Sequence, residues 1–122
     1  MERVLIIEDE RELCELLGQL IVKRFNFSAP LIAVNGAEGM ELLKEHHDDI
    51  RVCVVDYLLP GKLGDKVIEE IRQFDPNMSI IILTGADDIE KVRPNLPPDV
   101  AIMRKPLSKT CINLLETYIG EE

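Results

Sequence analysis

The chain is 122 residues long with 46% hydrophobic side chains, which suits one compact domain with a full core rather than two. Its formal charge of −9 argues against direct nucleic-acid binding, because phosphate contact needs a basic stripe; an acidic surface suits solubility and a metal cation alike. No apolar run approaches the ~20 residues that cross a bilayer, and Met1-Glu2-Arg3-Val4-Leu5 opens no signal-peptide apolar region, so a cytoplasmic location with no membrane contact is expected.

Arg3 to Glu8 reads as a first strand, since Val4-Leu5-Ile6-Ile7 is continuous, apolar and β-rich. Glu8, Asp9 and Glu10 follow, and then Leu13, Leu16, Leu17, Leu20, Ile21 and Phe25 recur at helical spacing. Capping of that helix by Glu8 or Asp9 would by itself explain the acids. Ala29 to Val34 predicts a second strand, placed at a sheet edge by Pro30. Asn35-Gly36 makes a turn, and Ala37 to His47 predicts a second helix with Ala37, Met40 and Leu43 on its inner face. His46 and His47 at its end point to different sides and suit a helix C-terminus, so they receive no metal role.

Arg51 to Val55 predicts a third strand, buried on both faces and ending abruptly at Asp56; Pro60-Gly61 then marks a sharp turn. Leu63 to Phe74 predicts a third helix, with Val67, Ile68, Ile71 and Phe74 facing the core. Ser79 to Leu83 is a fourth apolar strand that stops at Thr84-Gly85. Ala86 to Arg93 makes a short helical segment, stopped by Pro94, Pro97 and Pro98. Asp99 to Met103 predicts a fifth strand leading into Arg104-Lys105-Pro106, and Leu107 to Ile119 the last helix, with Leu107, Cys111, Leu114, Leu115 and Tyr118 as its apolar stripe. Cys14, Cys53 and Cys111 lie far apart within apolar segments, without metal or redox spacing, and read as buried thiols.

Strands alternating with helices argue for an α/β fold: a doubly wound five-stranded parallel sheet, order 2-1-3-4-5, with helices on both faces. In that order the first and third strands meet at the switch point, where such sheets place their ligands. Glu8 and Asp9 end strand one, Asp56 strand three, Thr84 strand four and Lys105 strand five. Each alone has a bland explanation as a cap, a turn hydroxyl or a solvated charge; their coincidence at strand ends favours a site. Three clustered carboxylates repel, and a hard divalent cation relieves that repulsion. Mg²⁺, or Mn²⁺ in its place, beside Asp56, with the Lys105 charge and the Thr84 hydroxyl, would stabilise a phosphoryl group in transfer. Asp56 is then the nucleophile, and the product is an acyl phosphate on the protein.

As a set, Glu8-Asp9, Asp56 with Pro60-Gly61 and Gly64, Thr84-Gly85 and Lys105-Pro106 resemble the receiver domain of two-component response regulators, of the chemotaxis type, over essentially the whole chain, residues 1–122. The resemblance implies a phosphoacceptor signalling module rather than an enzyme. Asp56 would take its phosphoryl group from a sensor histidine kinase or a phosphotransfer protein. Mg²⁺ would be held by Asp9, Asp56 and the Leu58 carbonyl, with Glu8 binding directly or through water. Lys105 would contact the phosphoryl group, Thr84 would move toward it, and the Lys105-Pro106 peptide would be cis. The downstream target is a protein that the resemblance does not name. Phosphorylation-linked homodimers occur among such relatives, though no residue here demands one, and no output domain follows the last helix in this chain.

The chain also departs from that pattern. Glu8 stands where many relatives carry Asp. Ile102 stands where many carry the Tyr or Phe that rotates with the threonine, which leaves the switch without a ring to swing. Pro94 shortens the fourth helix. Leu58 and Ala86, two residues after Asp56 and Thr84, replace polar groups that can place a hydrolytic water, so slow self-dephosphorylation is expected. Three rival readings remain. A haloacid-dehalogenase-type phosphatase would need an acid at Leu58. A nucleotide-binding domain would need glycines where Glu8-Asp9-Glu10-Arg11-Glu12 stands. A receiver-like scaffold that takes no phosphate would not need Asp9, Asp56, Thr84 and Lys105.

Overall fold

The computed structural model describes residues 2–85 and 89–118. Strands β1 (Arg3–Ile7), β2 (Leu31–Ala33), β3 (Ile50–Asp56), β6 (Ser79–Gly85) and β7 (Ala101–Lys105) form one parallel sheet in the order β2-β1-β3-β6-β7. This is the predicted doubly wound sheet. Between β3 and β6 lies an antiparallel hairpin of two short strands, β4 (Leu58–Leu59) and β5 (Lys62–Leu63). The helices are α1 (Arg11–Phe25), α2 (Gly36–Glu45), α3 (Gly64–Phe74), α4 (Ile89–Val92) and α5 (Lys109–Tyr118).

The apolar strand runs have no polar gaps because both faces of the sheet are covered. Leu5, Ile7, Cys53, Val55, Ile80 and Ile82 point into the layer closed by α2, α3 and α4, where they meet Leu43, Val67, Ile68, Ile71 and Val92. Val4, Ile6, Val52, Val54, Ile81 and Leu83 point the other way, onto Leu13, Leu17 and Ile21 of α1 and Cys111 and Leu115 of α5. Most of these side chains are fully buried, each worth ~1.5–3 kcal/mol relative to exposure. The two layers share β1, β3 and β6, so the C-terminal ends of those strands are held rigidly from both sides.

Several boundaries and faces differ from expectation. In α2 the inner positions are Gly36, Gly39 and Leu43; Ala37 is exposed and Met40 only half-buried. The helix lies too close to β1 for a larger side chain at Gly39, where a Cβ would stand 2.4 Å from Ile7 Cδ1. Asn35 is the α2 N-cap, its side chain accepting from Glu38 N–H at 2.8 Å, while Glu38 Oε1 accepts from Val34 N–H at 2.8 Å. That second bond, with Pro30 lacking an N–H, blunts the sheet edge at β2. Phe74 does not face the core: it is 40% exposed and meets the edge of the His47 ring. His47 Nε2 bonds Asp75 Oδ2 at 2.9 Å and so ties the end of α2 to the end of α3. Hydrogen bonding to His47 holds the Asp75 carboxyl below the usual range.

The fourth helical segment is one turn of α4 followed by a 3-10 turn at Arg93–Asn95, which admits Pro94 at its start. Ala86, where that segment was expected to begin, and Ile119, the expected end of the last helix, lie outside the described residues. The loop into β7 is fastened by side chains instead. Arg93 donates to Val100 O at 2.8 Å, and Arg72 makes a two-pronged contact with Asp99 at 3.3 and 3.0 Å.

Gly64 is packed against backbone. A Cβ there would lie 2.8 Å from Tyr57 Cα and 2.9 Å from the Asp56 carbonyl oxygen. Backbone atoms cannot rotate away as a side-chain end can. Gly64→Ala is therefore expected to destabilise the domain by about 1–3 kcal/mol, measured as a lower urea midpoint.

Candidate functional site

Asp9 sits just beyond β1, Asp56 at the end of β3, Thr84 near the end of β6 and Lys105 at the end of β7. Parallel strands in register bring these ends to one rim, and the switch between β1 and β3 opens a crevice there. Glu8, Asp9 and Asp56 each offer a carboxylate oxygen, and the three oxygens lie within 4.8 Å of one another. Glu8 is 1% exposed and Asp56 4% exposed, while Asp9 is open to solvent.

Lys105 reaches across this cluster. Its Nζ lies 3.3 Å from Asp56 Oδ2, as a hydrogen bond, and 3.3 Å from Glu8 Oε1, as an ion pair without hydrogen-bond alignment. One ammonium thus faces three carboxylates, and the local charge is not balanced. The imbalance shows on Glu8. Burial, reinforced by the Asp56 charge, pushes its carboxyl up to about 7. For Lys105, burial works against the charge, but Asp56 and Glu8 outweigh it and raise its proton affinity. The Lys105-Pro106 peptide is cis, as expected.

Glu8 is not a helix cap in the ordinary sense. Its Oε2 accepts from Glu10 N–H at 3.1 Å, and Glu10, the N-cap of α1, makes no side-chain cap bond. Glu8 is turned inward, with Oε1 buried and without a hydrogen-bond donor. Thr84 is similar, 2% exposed with its hydroxyl unpaired among the described residues. Buried polar atoms without partners are costly, and both atoms are free to take one. Hard oxygen donors with a buried orphan oxygen among them fit Mg²⁺. The Cys14 thiol, 3.4 Å from the Glu8 carbonyl, is pushed up to about 11 by burial and the acids around it; all three cysteines are buried and unpaired.

The hairpin was not expected from the sequence, which suggested only a turn. Pro60-Gly61 closes it, with Gly61 at φ +78°, the left-handed conformation that the third residue of a type II turn requires. Leu59 is buried beneath it and Lys62 Nζ meets Glu70 Oε2 of α3 at 2.5 Å. Leu58 and Leu63 pair on the opposite, solvent side. Leu58 N–H points back to Asp56 Oδ1 at 3.4 Å. Ile102, half-buried on β7, lines a groove of about 450 Å³ with Ile89, Lys105, Pro106 and Leu114.

A family model of the response regulator receiver domain matches residues 4–112. The chain belongs to that family. The receiver domain is 34% identical over 90 residues to a probable C4-dicarboxylate response regulator, DctR, of Priestia megaterium, covering 74% of this chain and 39% of that protein. It is 28% identical over 92 residues to the chemotaxis protein CheY of Halobacterium salinarum, covering 75% of this chain and 73% of that one. Among solved structures, a DNA-binding response regulator of the LuxR family from Staphylococcus aureus matches with a TM-score of 0.76 at 27% identity, covering 99% of this chain and all of that one. The receiver domain thus spans well under half of the first of these relatives and most of the second.

Receiver domains are phosphoacceptor signalling modules, in general without enzymatic activity of their own, and they interact with histidine kinases or phosphotransfer proteins. That function is favoured over the phosphatase, nucleotide-binding and scaffold readings. Among the described residues no helix is long and apolar enough to cross a membrane.

Proposed function

We propose that Asp56 is the phosphoacceptor, that Glu8, Asp9, Asp56 and the Leu58 carbonyl hold Mg²⁺ (or Mn²⁺), and that Lys105 and Thr84 contact the incoming phosphoryl group. The observation that carries this is the crowding of three carboxylate oxygens within 4.8 Å beside one lysine. An Asp56 oxygen attacks phosphorus; the bond from phosphorus to the donor's histidine nitrogen breaks, and that nitrogen keeps the electron pair. Lys105 is already within reach of Asp56 and follows the charge as it moves onto the phosphoryl oxygens. The buried Thr84 hydroxyl gains a partner by turning toward them. The metal, when bound, neutralises the carboxylates and the phosphoryl oxygens together.

The donor is a sensor histidine kinase or a phosphotransfer protein. Ile102 and Thr84 form the switch. Ile102 already lines the groove between α4 and α5, so the phosphorylated state reads out there by a shift of an aliphatic side chain rather than a ring. Purified protein with Mg²⁺ should become phosphorylated by acetyl phosphate and should bind beryllofluoride. Failure of both, with metal in excess, overturns the reading.

The acyl phosphate should also be long-lived. Leu58 offers no hydrogen-bonding side chain to a water beside Asp56; Ala86, the other position expected to matter, lies outside the described residues. After removal of acetyl phosphate, the phosphoryl group should persist for minutes or longer, followed by intact-protein mass. Loss within seconds would contradict this.

A further inference from the structure

Two leucines stand on the open side of the hairpin next to the phosphoacceptor. Leu58 is 61% and Leu63 44% exposed, and the two are direct cross-strand partners. The turn Pro60-Gly61 closes on Leu59 and Lys62, so Leu58 and Leu63 form the pair whose side chains approach most closely. The other face of the hairpin is anchored, by Leu59 in the core and by Lys62 on Glu70 of α3. Its base is anchored too: Gly64 N–H bonds the Tyr57 carbonyl at 2.6 Å. The hairpin is therefore held on one face and at its base, with Leu58 and Leu63 side by side on the other face.

Leu58 is also tied to the reacting group. Its N–H is 3.4 Å from Asp56 Oδ1, and its Cβ is two covalent bonds from that nitrogen. The Leu58 backbone, from which the isobutyl group springs, accordingly stands at the edge of the carboxylate. The Leu58 side chain is 61% exposed, and its cross-strand partner is Leu63. A lone leucine in that position would sample several rotamers; one packed against Leu63 samples fewer.

We propose that Leu63 is a positioning residue for the phosphorylated state: by packing on Leu58 across the hairpin it keeps that side chain beside Asp56 and keeps water from the face of the acyl phosphate. This rests on Asp56 being the phosphoacceptor. In the step that it opposes, a water oxygen attacks phosphorus and the bond from phosphorus to the Asp56 oxygen breaks. The carboxylate leaves with the electron pair, a water proton goes to solvent, and inorganic phosphate is released.

The test uses the whole chain, acetyl phosphate and Mg²⁺. Leu63→Asn should shorten the phosphoryl half-life at least about threefold, the scale of one lost cross-strand contact. Leu63→Ile, which keeps an apolar partner, should restore most of it. The affinity for beryllofluoride, which forms no hydrolysable bond, should be unchanged in both, and the urea midpoint should fall by no more than one lost cross-strand contact explains. In a Leu58→Ala background the Leu63→Asn change should have no further effect. If wild type is phosphorylated but Leu63→Asn has the wild-type half-life, or if its effect persists with Leu58→Ala, the proposal fails while the phosphoacceptor reading stands. If wild type takes no phosphoryl group at all, it is that reading which fails.

Discussion

Asp56→Asn will take no phosphoryl group from acetyl phosphate, with Mg²⁺ present or absent. The amide oxygen is a poor nucleophile and carries no charge to share with the metal, so both parts of the proposed chemistry are removed at once. Transfer should fall by about a thousandfold or more, read as the absence of an added phosphoryl mass on the intact protein. The loss will not come from unfolding. Asp56 raises the carboxyl of Glu8 and pairs with Lys105; neutralising it removes repulsion between two buried acids and leaves Lys105 beside Glu8 at 3.3 Å. The urea midpoint of Asp56→Asn should therefore match or exceed that of wild type. A folded Asp56→Asn protein that is still phosphorylated would place the acceptor elsewhere.

Mg²⁺ affinity should rise steeply with pH up to neutrality. Glu8 is raised on folding from 4.5 to about 7, and a carboxyl must lose its proton before it can ligate a cation. Below that value each unit of pH decreases the ionised fraction about tenfold, so binding at pH 6 should be about ten times weaker than at pH 8. The same shift has an opposite sign for the metal-free fold. Between 4.5 and about 7 the folded protein keeps a proton that the unfolded chain has released, so stability falls as pH rises through that window. Adding Mg²⁺ at pH 8 should restore it, since the ion binds only the folded site. Calorimetric titration with Mg²⁺ at several pH values measures the first effect, and urea unfolding with and without the metal measures the second. In Glu8→Gln the pH dependence of affinity should flatten and the affinity itself should drop by about tenfold or more. Equal affinity at both pH values in wild type would show that Glu8 stays ionised in the fold throughout this range.

The burial of Glu8 shows what local reading leaves open. Three acids after a strand are as good a cap for α1 as they are a metal site, and spacing alone cannot separate the two uses. The fold separates them by burying Glu8 beside Asp56 and Lys105 and leaving the cap without a side-chain bond. Lys105, far along the chain, then becomes its only strong compensation among the described residues.

Strand identity and the strand ends that carry Asp56, Thr84 and Lys105 are legible in the linear chain, because a parallel sheet covered on both sides demands uninterrupted apolar runs and ends them at polar residues; the strand order rests as much on the resemblance to receiver domains as on that alternation. The element ends, the inner face of α2 and the exposure of Phe74 do not. They depend on how near one helix lies to another, as at Gly39 against Ile7, and no local pattern encodes that distance. The hairpin belongs to the same class. Leu58-Leu59-Pro60-Gly61-Lys62-Leu63 is too short to declare itself a strand pair, and only the anchoring of Leu59 and Lys62 beneath it decides which leucines face the water beside Asp56.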